Sequence, residues 1–324
     1  MEEQILHFAG QFAWEPNIEN AERLPADTSS LVVCGMGGSH LGARLLLRHD
    51  PTLDIRIHSD YGLPSEPVER LRASLIVASS YSGETEETLD AARAASDAGF
   101  AVAVVTTGGV LADFARKLGL PLILLEKQGV EPRMAVGATM LALARLMRAE
   151  ALEKEIREIG TAIDVHMGET GGTTLAERLA GSVPVVYASA SNASIAYFWK
   201  IAFNETGKIP AFHNLFPEVC HNELSGFDAV PSARDLSSHL HILELHDTDD
   251  HPRIVKRMRI MRELLEARGV AVTTVELYGR TGLEKALYGG LAGIWAAIAV
   301  AKTYQAPDAA TPLIAEFKKE MLKP

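Results

Sequence analysis

Apolar positions along the chain alternate between two rhythms. Short unbroken apolar runs occur at SSLVVC (29–34), DIRIHS (54–59), SLIVASS (74–80), AVAVVTT (101–107) and PLILLE (121–126). Stretches with helical spacing lie between several of them, most clearly Glu84 to Ala98 and Val110 to Leu118. Unbroken apolar strands alternating with helices predict a parallel sheet covered on both faces. Residues 2 to about 24 read as a helix and a connector, and Pro132 to about Ala162 as one long helix or two. Within the latter, Glu150 to Glu158 is charged and amphipathic, as expected of a surface or bridging helix.

HMGETGGTT (166–174) has the composition of a linker, and the alternation resumes after it. VPVVYAS (183–189), HLHILEL (239–245) and VAVTTVEL (270–277) read as strands. Asn192–Phe203, Pro252–Arg268, Leu283–Tyr304 and Thr311–Leu322 read as helices. A chain of 324 residues is long for one core. The expected architecture is therefore α/β with two domains, residues 1–162 and 176–324, joined by a linker at 163–175. Each domain is expected to be a mainly parallel sheet flanked by helices in three layers.

One stretch fits neither rhythm. Asn204 to Phe227, NETGKIPAFHNLFPEVCHNELSGF, mixes prolines, glycines, phenylalanines, acids and histidines, and reads as a long loop. Ile209, Phe212, Leu215, Phe216, Val219 and Leu224 give it apolar surface to bury, which argues against disorder. Two readings stay open on composition: a packed active-site loop carrying Glu205 and His221, or a structural crossover whose polar residues cap backbone.

Composition narrows the function classes. The formal net charge is −11, which argues against a nucleic-acid partner and requires local donors at any anionic site. The two cysteines, Cys34 and Cys220, do not make a disulfide framework and point to a reducing, cytoplasmic setting. The acidic N-terminus does not resemble a targeting leader, and the most apolar run, Leu291 to Val300, is too short to span a bilayer. His239, His241 and His246 have no acid or thiol partner at metal-ligand spacing, and lone histidines such as His40 and His166 read as structural.

Two segments have the form of anion sites. GMGGSHLG (35–42) lies between a strand and a helix, but His40 occupies the third glycine position of the dinucleotide pattern, so that cofactor is not expected. It reads as a tight turn or as an anion turn in which Ser39 donates a hydroxyl. SSYSGETEET (79–88) has the same setting, and Ser80, Ser82 and Thr85 surround its glycine. An N-cap needs one hydroxyl; three hydroxyls beside a helix N-terminus favour a phosphate site that uses no cation.

These segments, together with EPRMAVG (131–137) and the 204–227 stretch, resemble the bifunctional phosphoglucose/phosphomannose isomerase family, built from sugar isomerase (SIS) domains. The similarity runs from the glycine turn to the terminal helix. It implies two SIS domains and substrate phosphate bound at Gly38, Ser39, Ser80, Ser82 and Thr85. It also implies Arg133 near the reacting carbons, Glu205 as the base, and His221 and Lys302 as ring-opening groups. No metal or organic cofactor is implied. The implied partners are a hexose 6-phosphate substrate and a second copy of the chain, with His221 donated across the homodimer interface; no nucleic acid and no membrane are expected.

The implied reaction interconverts glucose 6-phosphate, and also mannose 6-phosphate, with fructose 6-phosphate through a cis-enediolate. One departure is Trp295, where a smaller polar residue is expected; it shares a helix face with Lys302 and bears on the mannose activity. The alternative is a non-catalytic phosphosugar-binding SIS protein, which gives no reason for Glu205, His221, Arg133 and Lys302 together.

Overall fold

The computed structural model describes residues 1–321 except Lys127, Gln128 and Ala229. The chain divides into two compact units. The N-terminal unit comprises Glu3–Val165 and Gly279–Leu287; the C-terminal unit comprises His166–Tyr278, the chain from Tyr288 onward, and Met1–Glu2.

The N-terminal unit holds a six-stranded sheet: β1 (Ile18–Glu19), β2 (Leu31–Cys34), β3 (Ile55–His58), β4 (Leu75–Ser79), β5 (Val102–Thr106) and β6 (Leu122–Leu124). Their order is β1-β6-β5-β4-β2-β3, all parallel except β1, which pairs antiparallel with β6. Every residue of β2, β4 and β5 is buried, which is why these strands read as unbroken apolar runs. On one face, Val32, Cys34, Ile76 and Val102 pack with Ala91 and Ala95 of helix Glu86–Asp97. Next to them Ala78, Val104 and Leu122 pack with Leu111, Ala112 and Ala115 of helix Gly109–Leu118. The alanines let the helices lie close on the sheet, and each large aliphatic side chain so buried contributes about 1.5–3 kcal/mol.

The first 24 residues depart from the expected helix. They form a short helix, Glu2–Leu6, a 3-10 turn, Phe8–Ala13, and the two-residue β1. Trp14 is extended and Pro16 follows it, so a helix cannot continue there. Pro132 to Ala162 resolves into two helices, Val136–Leu146 and Glu150–Thr161, separated where Arg148 takes a left-handed conformation (φ 53°). Glu153 of the second helix is buried and accepts from Arg145 and Arg157 at 2.6–2.8 Å.

The C-terminal unit holds four parallel strands, β7 (Val183–Ser189), β8 (Phe212–Phe216), β9 (Leu240–His246) and β10 (Ala271–Glu276), in the order β10-β9-β7-β8. Val185, Tyr187, Phe216 and Ile242 pack with Met258, Met261 and Leu265 of helix Pro252–Glu266.

Two expectations are corrected in this unit. The 204–227 stretch is not a loop throughout: residues 212–216 form β8, an edge strand in register with β7 from Val185↔Phe212 to Ser189↔Phe216. As an edge strand it is half covered, so Phe212 remains 58 % exposed while Phe216 and Val219 are fully buried. Helix Glu169–Leu179 begins inside the stretch read as a linker and runs past its end. Its Gly172 lies where a Cβ would meet the backbone of Trp295 and Ala296 at 2.8 Å, so this glycine serves close helix packing rather than chain flexibility.

Helix Gly282–Thr303 is 22 residues long and, by length and composition, apolar enough to cross a membrane; 72 % of its apolar window is buried in the fold. The terminal helix spans Pro312–Met321, and Leu322, to which it was expected to extend, lies outside the described residues. Cys34 and Cys220 are free thiols, and burial pushes Cys34 up to about 12.

Candidate functional site

In the N-terminal sheet the chain leaves β2 for the edge strand β3, then returns to build β4, β5 and β6 on the other side of β2. Open parallel sheets bind ligands beyond the carboxyl ends of the strands at such a reversal. Both glycine turns begin there, Gly35–Ser39 after β2 and Ser80–Thr85 after β4.

Hydrogen bonds join the two turns. The Tyr81 N–H donates to Ser39 Oγ at 3.0 Å, and Ser79 Oγ donates to the Ser39 carbonyl at 2.7 Å. Gly83 has φ +74°, and a Cβ there would sit 1.9 Å from the Gly108 carbonyl oxygen, so no other residue fits. The Leu111 N–H donates to the Gly83 carbonyl at 3.0 Å, and Thr107 Oγ1 to the Tyr81 carbonyl at 2.8 Å.

The hydroxyls of the second turn are arranged around its backbone. Ser80 Oγ and Thr85 Oγ1 share a hydrogen bond of 2.8 Å, the Gly83 N–H donates to Ser80 Oγ at 3.1 Å, and the Glu84 N–H to Ser82 Oγ at 3.2 Å. Thr85 is the N-cap of helix Glu86–Asp97, yet its side chain makes no capping bond. The simple capping explanation of these hydroxyls therefore fails at Thr85. Ser39 and Ser82 each accept from a backbone N–H, which leaves each hydroxyl hydrogen to be donated. Ser80 is buried, Ser39 and Thr85 half-buried, and Ser82 exposed. The Glu84 carboxylate accepts from the Val110 N–H at 3.0 Å, at the start of helix Gly109–Leu118.

Arg133 belongs to the same constellation. It lies in a 3-10 turn, Pro132–Met134, and is fully buried. A Cβ on Gly38 would lie 2.7 Å from the Arg133 backbone nitrogen, so the first glycine turn rests on the Arg133 segment. Arg133 Nη1 reaches Glu131 Oε2 at 3.4 Å. Gly38, Ser39, Ser80, Ser82, Thr85 and Arg133 are thus linked within one unit. Next to Ser39, buried His40 accepts from Arg44 Nε at 3.3 Å, and burial lowers the ring's pKa to about 4, so it is neutral at pH 7.

Glu205, His221 and Lys302 lie in the C-terminal unit. Glu205 is half-buried in a π-helical turn, Phe203–Gly207, that ends helix Ala193–Ala202; such turns occur frequently at functional sites. The Lys208 ammonium donates to the Glu205 carbonyl oxygen. His221 is exposed and follows a 3-10 turn, Glu218–Cys220, and its N–H donates to the Glu218 carbonyl at 2.8 Å. Lys302, 64 % exposed, pairs with Glu2.

Lys302 and Trp295 do share a helix face, as their spacing predicts: both line a pocket of about 330 Å³ with Glu169, Thr173 and Glu177. That pocket includes neither Glu205 nor His221. Two polar residues that the sequence did not single out, Tyr187 and Glu223, are joined by a 2.6 Å hydrogen bond. The only signal for them is a lone tyrosine in an apolar strand and an acid two residues after His221.

Comparison with known proteins gives the family. Residues 169–321 match the model of the bacterial phosphoglucose isomerase C-terminal SIS domain. A bifunctional phosphoglucose/phosphomannose isomerase of Aquifex aeolicus is 30 % identical over 98 % of this chain and 96 % of its own. One of Caldicellulosiruptor bescii is 30 % identical over 86 % of this chain and 85 % of its own. Among solved structures, a hypothetical protein of Thermus thermophilus superposes with a TM-score of 0.68 at 18 % identity, covering 100 % of this chain and 88 % of that one, a likeness of fold. With full-length similarity added to the paired glycine turns, the chain belongs to the bifunctional phosphoglucose/phosphomannose isomerase family.

Proposed function

We propose that the chain is an aldose–ketose isomerase that interconverts glucose 6-phosphate, and mannose 6-phosphate, with fructose 6-phosphate. The observation that carries this reading is the joining of two glycine turns, their seryl and threonyl hydroxyls and a buried arginine in one unit, in a chain whose relatives bear that name. Hydroxyls and backbone N–H groups suit a phosphate dianion, and in a chain of net charge −11 they supply the local donors it needs.

The phosphate is a remote handle that holds the sugar and takes no part in bond making. Glu205 takes the proton from C2 of the aldose and returns it to C1, reversing the order for the ketose. Arg133 stabilises the enediolate oxygen, since a guanidinium stays charged throughout. His221 and Lys302 open the sugar ring before isomerisation, one protonating the ring oxygen and one accepting the proton of the anomeric hydroxyl, on C1 of the aldose and on C2 of the ketose. The enzyme acts in the cytoplasm as a homodimer in which His221 serves the partner's site. Its exposed position, and the exposed apolar residues Leu313 and Phe317 on the terminal helix, support an assembly larger than one chain.

Purified protein given fructose 6-phosphate is expected to release glucose 6-phosphate, with mannose 6-phosphate as a second product, each read by its own coupled dehydrogenase assay. Tight binding of fructose 6-phosphate without either aldose would instead support a non-catalytic phosphosugar-binding protein.

A further inference from the structure

We infer that Glu223 and Tyr187 are positioning residues for His221, holding its turn against the sheet so that the imidazole keeps its place for ring opening. This rests on the proposed role of His221. The geometry is continuous from the core to the histidine. Tyr187 lies in β7 and is 1 % exposed, and its hydroxyl donates to Glu223 Oε2 at 2.6 Å. The other carboxylate oxygen of Glu223, Oε1, accepts from the side-chain amide of Asn214 in β8. One carboxylate therefore ties two neighbouring parallel strands to the segment that follows His221.

The turn is closed on both sides of the histidine. Asn222 Oδ1 accepts from the Glu223 N–H at 2.6 Å, and Asn222 Nδ2 donates to Glu218 Oε1 at 2.9 Å. The His221 N–H donates to the Glu218 carbonyl at 2.8 Å. The backbone of His221 is thus held between Glu218 and Glu223 while its ring remains exposed to solvent. Burial raises the Tyr187 phenol above its ordinary pKa, and the hydrogen bond to Glu223 adds to this, so Tyr187 is a donor across the working pH range. An amide at position 223 offers one acceptor oxygen where the carboxylate offers two, so it cannot accept from Tyr187 and Asn214 through separate oxygens.

The test uses the full chain with Tyr187→Phe, Glu223→Gln and the double variant Glu223→Gln/Asn214→Asp. In the double variant the amide introduced at position 223 donates to the carboxylate introduced at position 214. Its carbonyl still accepts from Tyr187, so the network is restored in reversed polarity. Turnover is measured on fructose 6-phosphate, a closed ring, and on 5-deoxyfructose 6-phosphate, which lacks the ring-closing oxygen and is always open. The His221 imidazole resonance, identified by its loss in His221→Ala, is followed by NMR.

Each single variant is expected to lose on the order of 10- to 10²-fold in kcat/KM on the closed substrate, the scale of a displaced catalytic group. Turnover of the open substrate should be unchanged, the His221 resonance should shift, and the double variant should recover both. Equal losses on the two substrates, or an unmoved resonance, overturn the inference. Tyr187→Phe removes only a hydroxyl and carries the test alone if Glu223→Gln does not fold. Should the unaltered enzyme turn over neither substrate, the isomerase reading fails. The resonance then decides positioning: a shift in both single variants that reverses in the double variant supports it, and no shift overturns it.

Discussion

The backbone N–H of Tyr81 donates to the hydroxyl of Ser39 at 3.0 Å, so the side chain of one glycine turn is fixed by the backbone of the other. Two turns that are 42 residues apart in sequence are thereby joined, as the proposed phosphate site requires. Hydrogen bonds to a charged group are each worth about 1.5–3 kcal/mol. Ser82→Ala with Thr85→Ala is therefore expected to weaken binding of a non-reacting hexose phosphate by on the order of 10²-fold or more. Calorimetric titration measures this, and an unchanged Kd with an unchanged circular dichroism spectrum would remove the anion role of the turn.

Gly83 sets the shape of the second turn. Gly83→Ala places a methyl 1.9 Å from the Gly108 carbonyl at φ +74°. The turn must move, at a cost of roughly 2 kcal/mol or more. The expected outcome is a lower Tm together with weaker phosphate binding; a variant that keeps both would show the Gly83–Gly108 approach to be dispensable.

Glu244 of β9 is 1 % exposed, and Arg262 comes only to 3.6 Å. Burial raises its carboxyl to about 7, with the nearby Arg262 opposing the shift. The folded chain therefore holds this proton more tightly than the unfolded chain, whose ordinary value is near 4.5. The contribution is fully present below pH 4.5, falls as pH rises from there towards 7, and is lost above. Its size is about 3 kcal/mol. Glu244→Gln should flatten the denaturation profile between pH 5 and pH 8 and be more stable than the parent at pH 8; a parallel profile would contradict the assignment.

Much of the fold is legible in the residues, and the parts that are not have physical causes. β2, β4 and β5 read clearly because every one of their positions is buried. β8 does not, because an edge strand with Phe212 exposed, flanked by Pro210 and Pro217, carries neither rhythm. Helix Glu169–Leu179 reads as linker because Gly171, Gly172 and three threonines mimic flexible chain, whereas Gly172 admits the neighbouring helix backbone. The serine-rich turn stands out in the sequence because it has more hydroxyls than a cap requires. The burial of Arg133 does not, since an arginine at a helix start ordinarily faces water. The Tyr187–Glu223 bond joins residues 36 apart on different elements, and no local pattern reports it.

If His221 serves the partner's site, two inactive variants complement each other. Mixing Glu205→Gln with His221→Ala, after dissociation and reassociation, should restore about a quarter of parent activity, because half the dimers are mixed and each has one intact site. No recovery from a mixture shown to exchange subunits would place His221 in its own subunit's site.

The central claim is that Glu205 moves the proton between C1 and C2. The direct measurement follows glucose 6-phosphate in deuterated water by NMR, with the parent and Glu205→Gln side by side. The parent should give glucose 6-phosphate carrying deuterium at C2. Glu205→Gln should lose turnover and C2 exchange together by at least about 10²-fold while still opening the ring. A Glu205→Gln variant that exchanges the C2 hydrogen at the parent rate would contradict the account.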